Sequence, residues 1–401
     1  MLVQEVVETE RRSRPRRVWR RRLAVAMAVL FAAGTAVRLG GLESGIFLVP
    51  LVSFTPYFAL AALVMLAIAA LLRSRAATAI MLAVCVSLAW VVLPRALGGS
   101  ADAPAPASGD ASGTGTGTTS GADTGTSSDT ASGIGTSSGT ASGAGTASDA
   151  GTSSGTASDA GTSSGTGTAS ASSSAGGRTL RVLTANLNGG RGDATVIVDL
   201  VRRLNVDVLS IQELTYSARD RLSAAGLATL LPYHVGRADY RGPEGSGVYS
   251  RYPMTERTGL FQPVGHHMPV VEVALPGGSA VEVVVVHPVA PVPSTVPEWE
   301  AGIATLPPAP SSGPPRILAG DFNATLDHAV FRRLLDTGYT DAAASTGQGL
   351  TPTWPHGRSL PPLVAIDHVL TDGRGSAAAT RVFDVPGSDH RALFADLRIQ
   401  G

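Results

Sequence analysis

The stretch Val281–His287 reads VEVVVVH, an almost continuous run of β-branched side chains that ends in a histidine. A run of this kind, without polar alternation, is typical of a central strand buried on both faces. We predict strands at Leu180–Leu187, Val206–Ile211, Gly247–Ser250, Val270–Ala274, Val281–Val286, Ile317–Gly320, Ile366–Leu370, Arg381–Val385 and Leu393–Ile399. Helical patterns lie at Thr195–Leu204, Ser217–Ala225, Val296–Leu306 and His328–Leu335. Such interspersed strands and helices predict an α/β fold with two packed sheets and helices outside.

Polar side chains gather where these apolar runs stop. They are Asn186 and Asn188, Gln212 and Glu213, His287, Asp321 and Asn323, Asp367 and His368, and Asp389 and His390. Any one of them has an ordinary explanation as a turn or helix-cap residue. Carboxylates, amides and imidazoles at the ends of six runs are instead what a catalytic surface requires.

These residue types predict a metal-assisted phosphoester hydrolysis site. Glu213 and Asp389 offer the hard oxygen ligands that suit Mg²⁺, and a metal bound in this way can polarise a phosphoryl oxygen. His390 is a candidate for proton transfer, oriented by a carboxylate such as Asp367. Asp321 and the neighbouring Asn323 can align a water molecule and hold a phosphate oxygen. The single cysteine of the chain excludes an intrachain disulfide and a cysteine-based zinc site.

The same motifs, in the same order, resemble the endonuclease/exonuclease/phosphatase (DNase I-like) superfamily, and in particular its bacterial membrane-attached members. The resemblance covers about residues 180–400 and rests on TANLN, IQEL, GSGVYSRYPM, VHP, GDFNAT, TWP, IDHVL and GSDHRALFADL. It implies a four-layer sandwich with two central mixed β-sheets flanked by helices. It also implies a metal-dependent phosphoric ester hydrolase with Mg²⁺, or alternatively Mn²⁺, as cofactor.

The resemblance also implies a role for each matching residue. The implied catalytic residues are His390, Asp321, Asp367, His287 and Asn323; the implied substrate phosphate-binding residues are Asn186, Asn323 and His287; and the implied metal ligands are Glu213 and Asp389. The substrate stays open between a nucleic acid, which we favour, and a lipid head group or small phosphoester. An alternative of another class is a pseudoenzyme that binds a phosphorylated ligand without turnover.

The charge of the domain does not favour an extended nucleic-acid surface. Residues 178–401 contain 19 arginines and 21 acidic residues, a formal charge of −2, and no long basic insertion is present for phosphate contacts. A few arginines remain as candidate phosphate contacts, although most of them are expected to be solvated: Arg237, Arg241, Arg251, Arg358 and Arg391. The segment 191–193, Arg-Gly-Asp, is interpreted as a turn and cap before a helix, and His266 and His267 as an exposed loop pair.

The N-terminal part is predicted to be a membrane anchor. A basic, cytoplasmic N-terminus (1–22) precedes three transmembrane helices (23–98), predicted from the apolar runs Leu23–Val37, Ile46–Leu72 and Ala77–Leu93. A span needs about 20 apolar residues, so the count falls to two if the short first run does not cross. A signal peptide is the alternative, but no clear cleavage site follows.

Arginine placement sets the predicted orientation. The N-terminus and the cluster of Arg73 and Arg75 are expected on the cytoplasmic side, so three crossings place the domain outside the cytoplasm as part of a multi-pass cell-membrane protein. The Gly/Ser/Thr/Ala-rich segment 99–177 is predicted to be a disordered, flexible linker, with an O-glycosylated stalk as the alternative. No obligate protein partner is predicted.

Overall fold

The structure is a computed structural model that describes residues 2–98, 177–240, 242–357 and 360–400, with the side chains of residues 2–17 left out. Apart from Gly177, the predicted linker 99–177 lies outside the described residues. The N-terminal helices are α1 (Leu2–Gly40), α2 (Gly45–Val52), α3 (Thr55–Leu71) and α4 (Arg75–Leu97).

Two six-stranded sheets form the centre of the C-terminal domain. In chain order the strands are β1 (Arg178–Asn186), β2 (Val208–Gln212), β3 (Tyr233–Arg237), β4 (Ser246–Ser250), β5 (Met254–Glu256), β6 (Val270–Ala274), β7 (Ala280–Val286), β8 (Arg316–Asp321), β9 (Thr340–Asp341), β10 (Asp367–Thr371), β11 (Gly375–Asp384) and β12 (Arg391–Ile399). The strand orders are β11-β12-β1-β2-β4-β3 and β5-β6-β7-β8-β10-β9. Each sheet is mixed, because β1–β2 and β7–β8 are parallel while the other pairs are antiparallel.

Helices cover the outer faces of both sheets, as the predicted sandwich requires. They are α5 (Ala194–Arg203), α6 (Tyr216–Ala224), α7 (Leu227–Leu230), α8 (Val296–Ala304), α9 (Ala329–Leu335) and α10 (Ala342–Ser345). One apolar cluster fills the space between the sheets and includes Val283 and Val285. A second joins the first sheet to α5 and α6. A third joins the second sheet to α8 and α9. The run Val281–Val286 is buried throughout, as its uniform β-branched character predicted.

The predicted elements are present, although β11 begins six residues before the predicted Arg381. Two four-residue helices, α7 and α10, and three short strands were missed. These strands are β3, β5 and β9. The first two are exposed for most of their length, so they lack the apolar run that marks a buried strand. The third has two residues, too few for any pattern.

The predicted count of three transmembrane helices is corrected to two or three. Among the described residues, two helices are long and apolar enough to cross a membrane, Val18–Gly40 and Arg75–Leu97. The run Ile46–Leu72 is not one straight span: α2 and α3 meet at a bend of 77°. Pro50 lies inside α2 and Pro56 in the first turn of α3, and proline removes a backbone donor and interrupts a helix. The first apolar run, Leu23–Val37, was the shortest of the three predicted spans. In the structure its helix is long enough to cross a membrane because the apolar part begins at Val18 and continues to Gly40.

Candidate active site

Strand register brings the predicted polar positions to one end of both sheets. In the first sheet Asn186 pairs with Gln212, so Glu213 leaves β2 beside the end of β1. In the second sheet Val286 pairs with Gly320, which sets His287 beside Asp321. Asp367 pairs with Asp321 across the antiparallel β8–β10 ladder. All the predicted site residues therefore lie near a single edge.

Asn186 holds two carboxylates in place. Its Nδ2 donates to Glu213 Oε1 at 3.1 Å and to Asp321 Oδ2 at 3.0 Å, and its Oδ1 accepts from Asn188 N at 2.8 Å. The backbone N–H of Gly189 donates to the other oxygen of Glu213. These hydrogen bonds engage every polar atom of the Asn186 side chain. Asn186 can therefore contact a phosphate only if one of these hydrogen bonds is replaced by a bond to the phosphate. Phosphate binding by Asn186 stays a prediction.

His390 lies between two buried carboxylates. Its Nδ1 is 3.0 Å from Asp367 Oδ2, and its Nε2 is 3.6 Å from Asp321 Oδ2. Burial by itself lowers the pKa of His390, but the charges of Asp367 and Asp321 raise it to about 10. Burial raises the pKa of Asp321 to about 7, although His390 acts in the opposite direction. The result is an imidazolium next to a carboxyl group that exchanges its proton near neutrality.

His287 is buried beside the same carboxylates. Its Nε2 lies 3.9 Å from both Glu213 Oε1 and Asp321 Oδ2. Burial, together with the neighbouring His266 and His390, holds the pKa of His287 well below its ordinary value, so the ring is neutral at physiological pH. The ring of His266 lies against it in a tilted arrangement, with ring centroids 4.4 Å apart. This corrects the expectation that His266 is an exposed loop residue.

Asn323 and His368 fix the loop that follows β8. Asn323 donates from N to Asp321 Oδ1 at 2.8 Å and from Nδ2 to Pro288 O at 3.1 Å, so it joins the loops after β7 and β8. The ring of His368 is 2.8 Å from Asp341 Oδ2 and 2.9 Å from Ala324 O. Alternation along β10 directs His368 away from the site while Asp367 faces it. His368 is thus a support for the loop rather than a member of the site.

An open cavity of about 580 Å³ lies over these residues. Of the predicted site residues, Glu213, His287, Asp321, Asn323, Asp389 and His390 line it. Among described residues, three non-glycine positions with positive φ also line it: Asn188, Glu213 and Asn323. Backbone strain of this kind tends to cluster at functional sites.

Two residues that sequence reasoning missed line the same cavity, Arg191 and Trp354. The Asp193 cap of α5 is confirmed, since its carboxylate accepts from Thr195 N and Val196 N. Because 191–193 was interpreted only as a turn and cap, Arg191 was not predicted as a site residue, although it is an arginine in the cavity wall. The sequence signal that could have identified Arg191 is its place in a glycine-rich turn directly after the TANLN motif.

The arginines predicted as candidate phosphate contacts do not line this cavity where the structure describes them. Arg251 is paired with Asp207, Arg391 is paired with Asp384, and Arg237 lines a separate cleft beside His267. Arg241 and Arg358 fall outside the described residues.

The donor set fits a divalent cation. Asp321, Asp367 and His390 each offer a ligand atom, and these atoms all lie within 4.8 Å of one another. Asp367 Oδ1 is buried without a hydrogen-bond partner among the described residues. Carboxylate oxygens suit Mg²⁺ or Mn²⁺, whereas His390 in its cationic form has no lone pair for a metal, so the carboxylates are the donors that fit. The predicted ligands Glu213 and Asp389 face the same cavity, and their ligand role stays a prediction.

Comparison with known proteins decides the family. The profile described as "Endonuclease/Exonuclease/phosphatase family" matches residues 183–390, more than half of the chain. The chain belongs to the endonuclease/exonuclease/phosphatase family. This membership supports a phosphoesterase-type hydrolase, and enzymes of the family generally depend on a divalent metal. No curated protein matches the chain at a significant level.

Solved structures with the family's fold resemble this chain at low identity. A Beutenbergia cavernae endonuclease/exonuclease/phosphatase is 20% identical with a TM-score of 0.45, covering 56% of this chain and 72% of its own. Truncated Caenorhabditis elegans TDP2 is 16% identical with a TM-score of 0.44, covering 55% and 97%. A Bacteroides thetaiotaomicron family protein is 15% identical with a TM-score of 0.39, covering 55% and 95%.

Proposed function

We propose that this protein is a membrane-anchored phosphodiester hydrolase that acts outside the cytoplasm and depends on Mg²⁺ or Mn²⁺. The observation that carries the proposal is the chain of contacts from Asp367 through His390 to Asp321 at the wall of an open cavity. A buried carboxyl group whose pKa is raised by burial, next to a histidine that two carboxylates hold in its cationic form, can serve as the base and acid of general acid–base catalysis.

The proposed reaction is attack of water on phosphorus. Asp321 orients the water and accepts its proton, while the water oxygen bonds to phosphorus and the bond to the leaving oxygen breaks. His390 is held in its cationic form by Asp367, and it stabilises the charge on the phosphoryl oxygens and supplies the proton that the leaving oxygen takes. A divalent cation, when bound by Glu213 and Asp389, would supply Lewis-acid polarisation of a phosphoryl oxygen.

The remaining cavity residues bind and orient the substrate. Asn323 is fixed by Asp321 and Pro288 at the cavity wall, where the second hydrogen of its side-chain amide can be donated to a phosphate oxygen. His287 is neutral at physiological pH, so one of its ring nitrogens carries a hydrogen that can be donated to a phosphate oxygen. Arg191, whose guanidinium contacts Asn188 Oδ1, adds a positive charge to the cavity wall.

Membrane anchoring and orientation rest on the helices and their arginines. The C-terminal ends of α1 and α4 both contact the domain, through Arg38 and Arg95. The start of α1 and the turn carrying Arg73 therefore lie at the opposite end of the bundle. The positive-inside rule favours the arginine-rich end as cytoplasmic, which leaves the domain outside.

The test uses the full-length protein in detergent with bis(p-nitrophenyl) phosphate as substrate. We expect turnover that requires Mg²⁺ or Mn²⁺, disappears with chelator and is lost in His390→Ala. His234→Ala is the matched control, because His234 is exposed outside the cavity. Cation binding without turnover of this diester, of supercoiled plasmid or of a lipid diester would contradict catalysis and favour a phosphate-binding pseudoenzyme.

A further inference from the structure

The domain is joined to the anchor by a buried ionic cluster that no catalytic role explains. Asp327, four residues after Asn323, accepts from Arg38 Nε at 2.6 Å and from both terminal nitrogens of Arg95 at 2.8 Å. Its side chain is 1% exposed, and those of the two arginines are 8% and 10% exposed. Arg38 lies in the last turn of α1 and Arg95 in the last turn of α4. One carboxylate of the domain thus holds the ends of two apolar helices.

The short helix α2 makes the second contact. Val49 is fully buried in the same apolar cluster as Trp299 of α8, and its carbonyl oxygen is 3.0 Å from His328 Nε2. The opposite side of α2 is exposed and apolar, with Phe47 80% and Leu51 63% exposed. A helix that buries one apolar side in a domain and exposes another beside membrane-spanning helices is placed to contact lipid.

The third contact lies on the loop before β10. Tyr57 of α3 donates from its hydroxyl to Leu363 O at 2.8 Å. This loop also carries Trp354, which bridges to Val364 and lines the catalytic cavity. The C-terminal end of α4 is fixed as well, because Gly349 N donates to Arg95 O at 3.0 Å.

All three contacts fall on segments that border the cavity. The loop after β8 carries both Asn323 and Asp327, α8 begins directly after the cavity residue Thr295, and the loop before β10 carries Trp354. The anchor therefore packs against segments that continue into the cavity wall, at the catalytic edge of the domain, and Tyr57, Arg95 and Asp327 line a separate cleft of their own. A domain that was merely tethered would need none of these contacts.

We propose that Asp327, Arg38 and Arg95 form a clamp that holds the catalytic edge against the membrane surface and thereby directs the enzyme to phosphodiesters carried by lipids of the same membrane. This inference rests on the proposed function and specifies its substrate class. Asp327 is a positioning residue, since it lines no part of the catalytic cavity. Holding the edge at the surface restricts the orientations in which the cavity meets a lipid head group.

The test compares one leaving group in two settings, with full-length protein in proteoliposomes. Soluble bis(p-nitrophenyl) phosphate and vesicle-borne phosphatidyl-p-nitrophenol both release p-nitrophenol. We expect wild type to cleave both, and Asp327→Asn to lose about tenfold or more on the lipid while staying within about twofold on the soluble diester. Asp327→Glu should recover part of the loss, and Asp336→Asn, at an exposed acid on the same segment, should change neither rate.

Any other result contradicts the role of the clamp, the lipid assignment or the proposed hydrolase. Equal losses on both substrates, or no loss on either, would show that the clamp does not direct the enzyme to lipid. Cleavage of the soluble diester or of supercoiled plasmid without cleavage of the lipid would reject the lipid assignment and leave the proposed hydrolase standing. No cleavage of any of the three by wild type with Mg²⁺ or Mn²⁺ would reject the hydrolase, and the inference with it.

Discussion

Replacing Asp341 by asparagine removes the charged partner of His368, the buried support of the catalytic loop. The two ring nitrogens of His368 face acceptors at 2.8 Å and 2.9 Å, Asp341 Oδ2 and Ala324 O. Two acceptors can be satisfied only when both nitrogens carry hydrogen, so the ring is an imidazolium. Although burial lowers the pKa of His368, the charge and hydrogen bond of Asp341 raise it above its ordinary value.

The expected loss follows from the burial of the pair. Both side chains are 2% exposed, and removing one partner of a buried ion pair costs about 3–5 kcal/mol. Asparagine retains an oxygen that can accept the hydrogen bond, so we expect the lower end, a loss of about 3 kcal/mol in the free energy of unfolding.

The loss should depend on pH with a definite sign. The pKa of His368 is higher in the folded protein than in the unfolded protein, where it is near 6.5. The stability contributed by the pair is therefore fully present below that value and is lost as pH rises through the raised pKa of the folded state. The difference between wild type and Asp341→Asn should be largest near pH 6 and smaller at higher pH.

Urea unfolding of full-length protein in detergent, followed by tryptophan fluorescence, measures this difference. Trp299 is a suitable reporter because it is buried and donates to Phe322 O at 3.3 Å, on the loop that His368 supports. Asp336→Asn is the control at an exposed acid. A loss under about 1 kcal/mol near pH 6, or a loss that grows with pH, would refute the imidazolium assignment.

Three further predictions concern the cavity. Asp367→Asn should lower kcat about 100-fold with little change in KM, because the histidine loses its charged partner, whereas Asp384→Asn, at an exposed acid, should match wild type in steady-state kinetics. Arg191→Gln should raise KM about tenfold and leave kcat within about twofold. The control Arg257→Gln, outside the cavity, should leave both KM and kcat unchanged. A fall in kcat without a change in KM would contradict a binding role for Arg191. Glu213→Gln should raise the Mg²⁺ concentration for half-maximal activity about tenfold, measured by metal titration after chelation, and an unchanged titration would exclude this carboxylate as a ligand.

Much of the domain could be predicted from local pattern. The buried runs, such as Val281–Val286, and the polar residues at their ends follow from burial on both faces and from the break in apolar character where a strand leaves the sheet. Exposed short strands carry no such signal, and β3 and β5 were missed for that reason. The bend between α2 and α3 was overlooked because average hydropathy hides the two prolines that interrupt the helix.

Individual site contacts could not be predicted from sequence. The sequence places Asp367 and His390 twenty-three residues apart, and only the packing of the two sheets, with β10 in one and β12 in the other, brings their side chains to 3.0 Å. Arg191 and Trp354 were not predicted because each lies in a turn or loop whose path depends on what packs beneath it.

By itself the sequence determined the β-rich core, the apolar character of the N-terminal helices and the types of polar group available for chemistry, since each follows from side chains within one short stretch. The tertiary structure decided which of those groups meet. It gave His390 two carboxylate neighbours, turned His368 away from the site and brought Arg38 and Arg95 onto Asp327 across 289 and 232 positions of chain. The physical reason is that electrostatic and hydrogen-bonding energies depend on distance and burial in space, which separation along the chain does not encode.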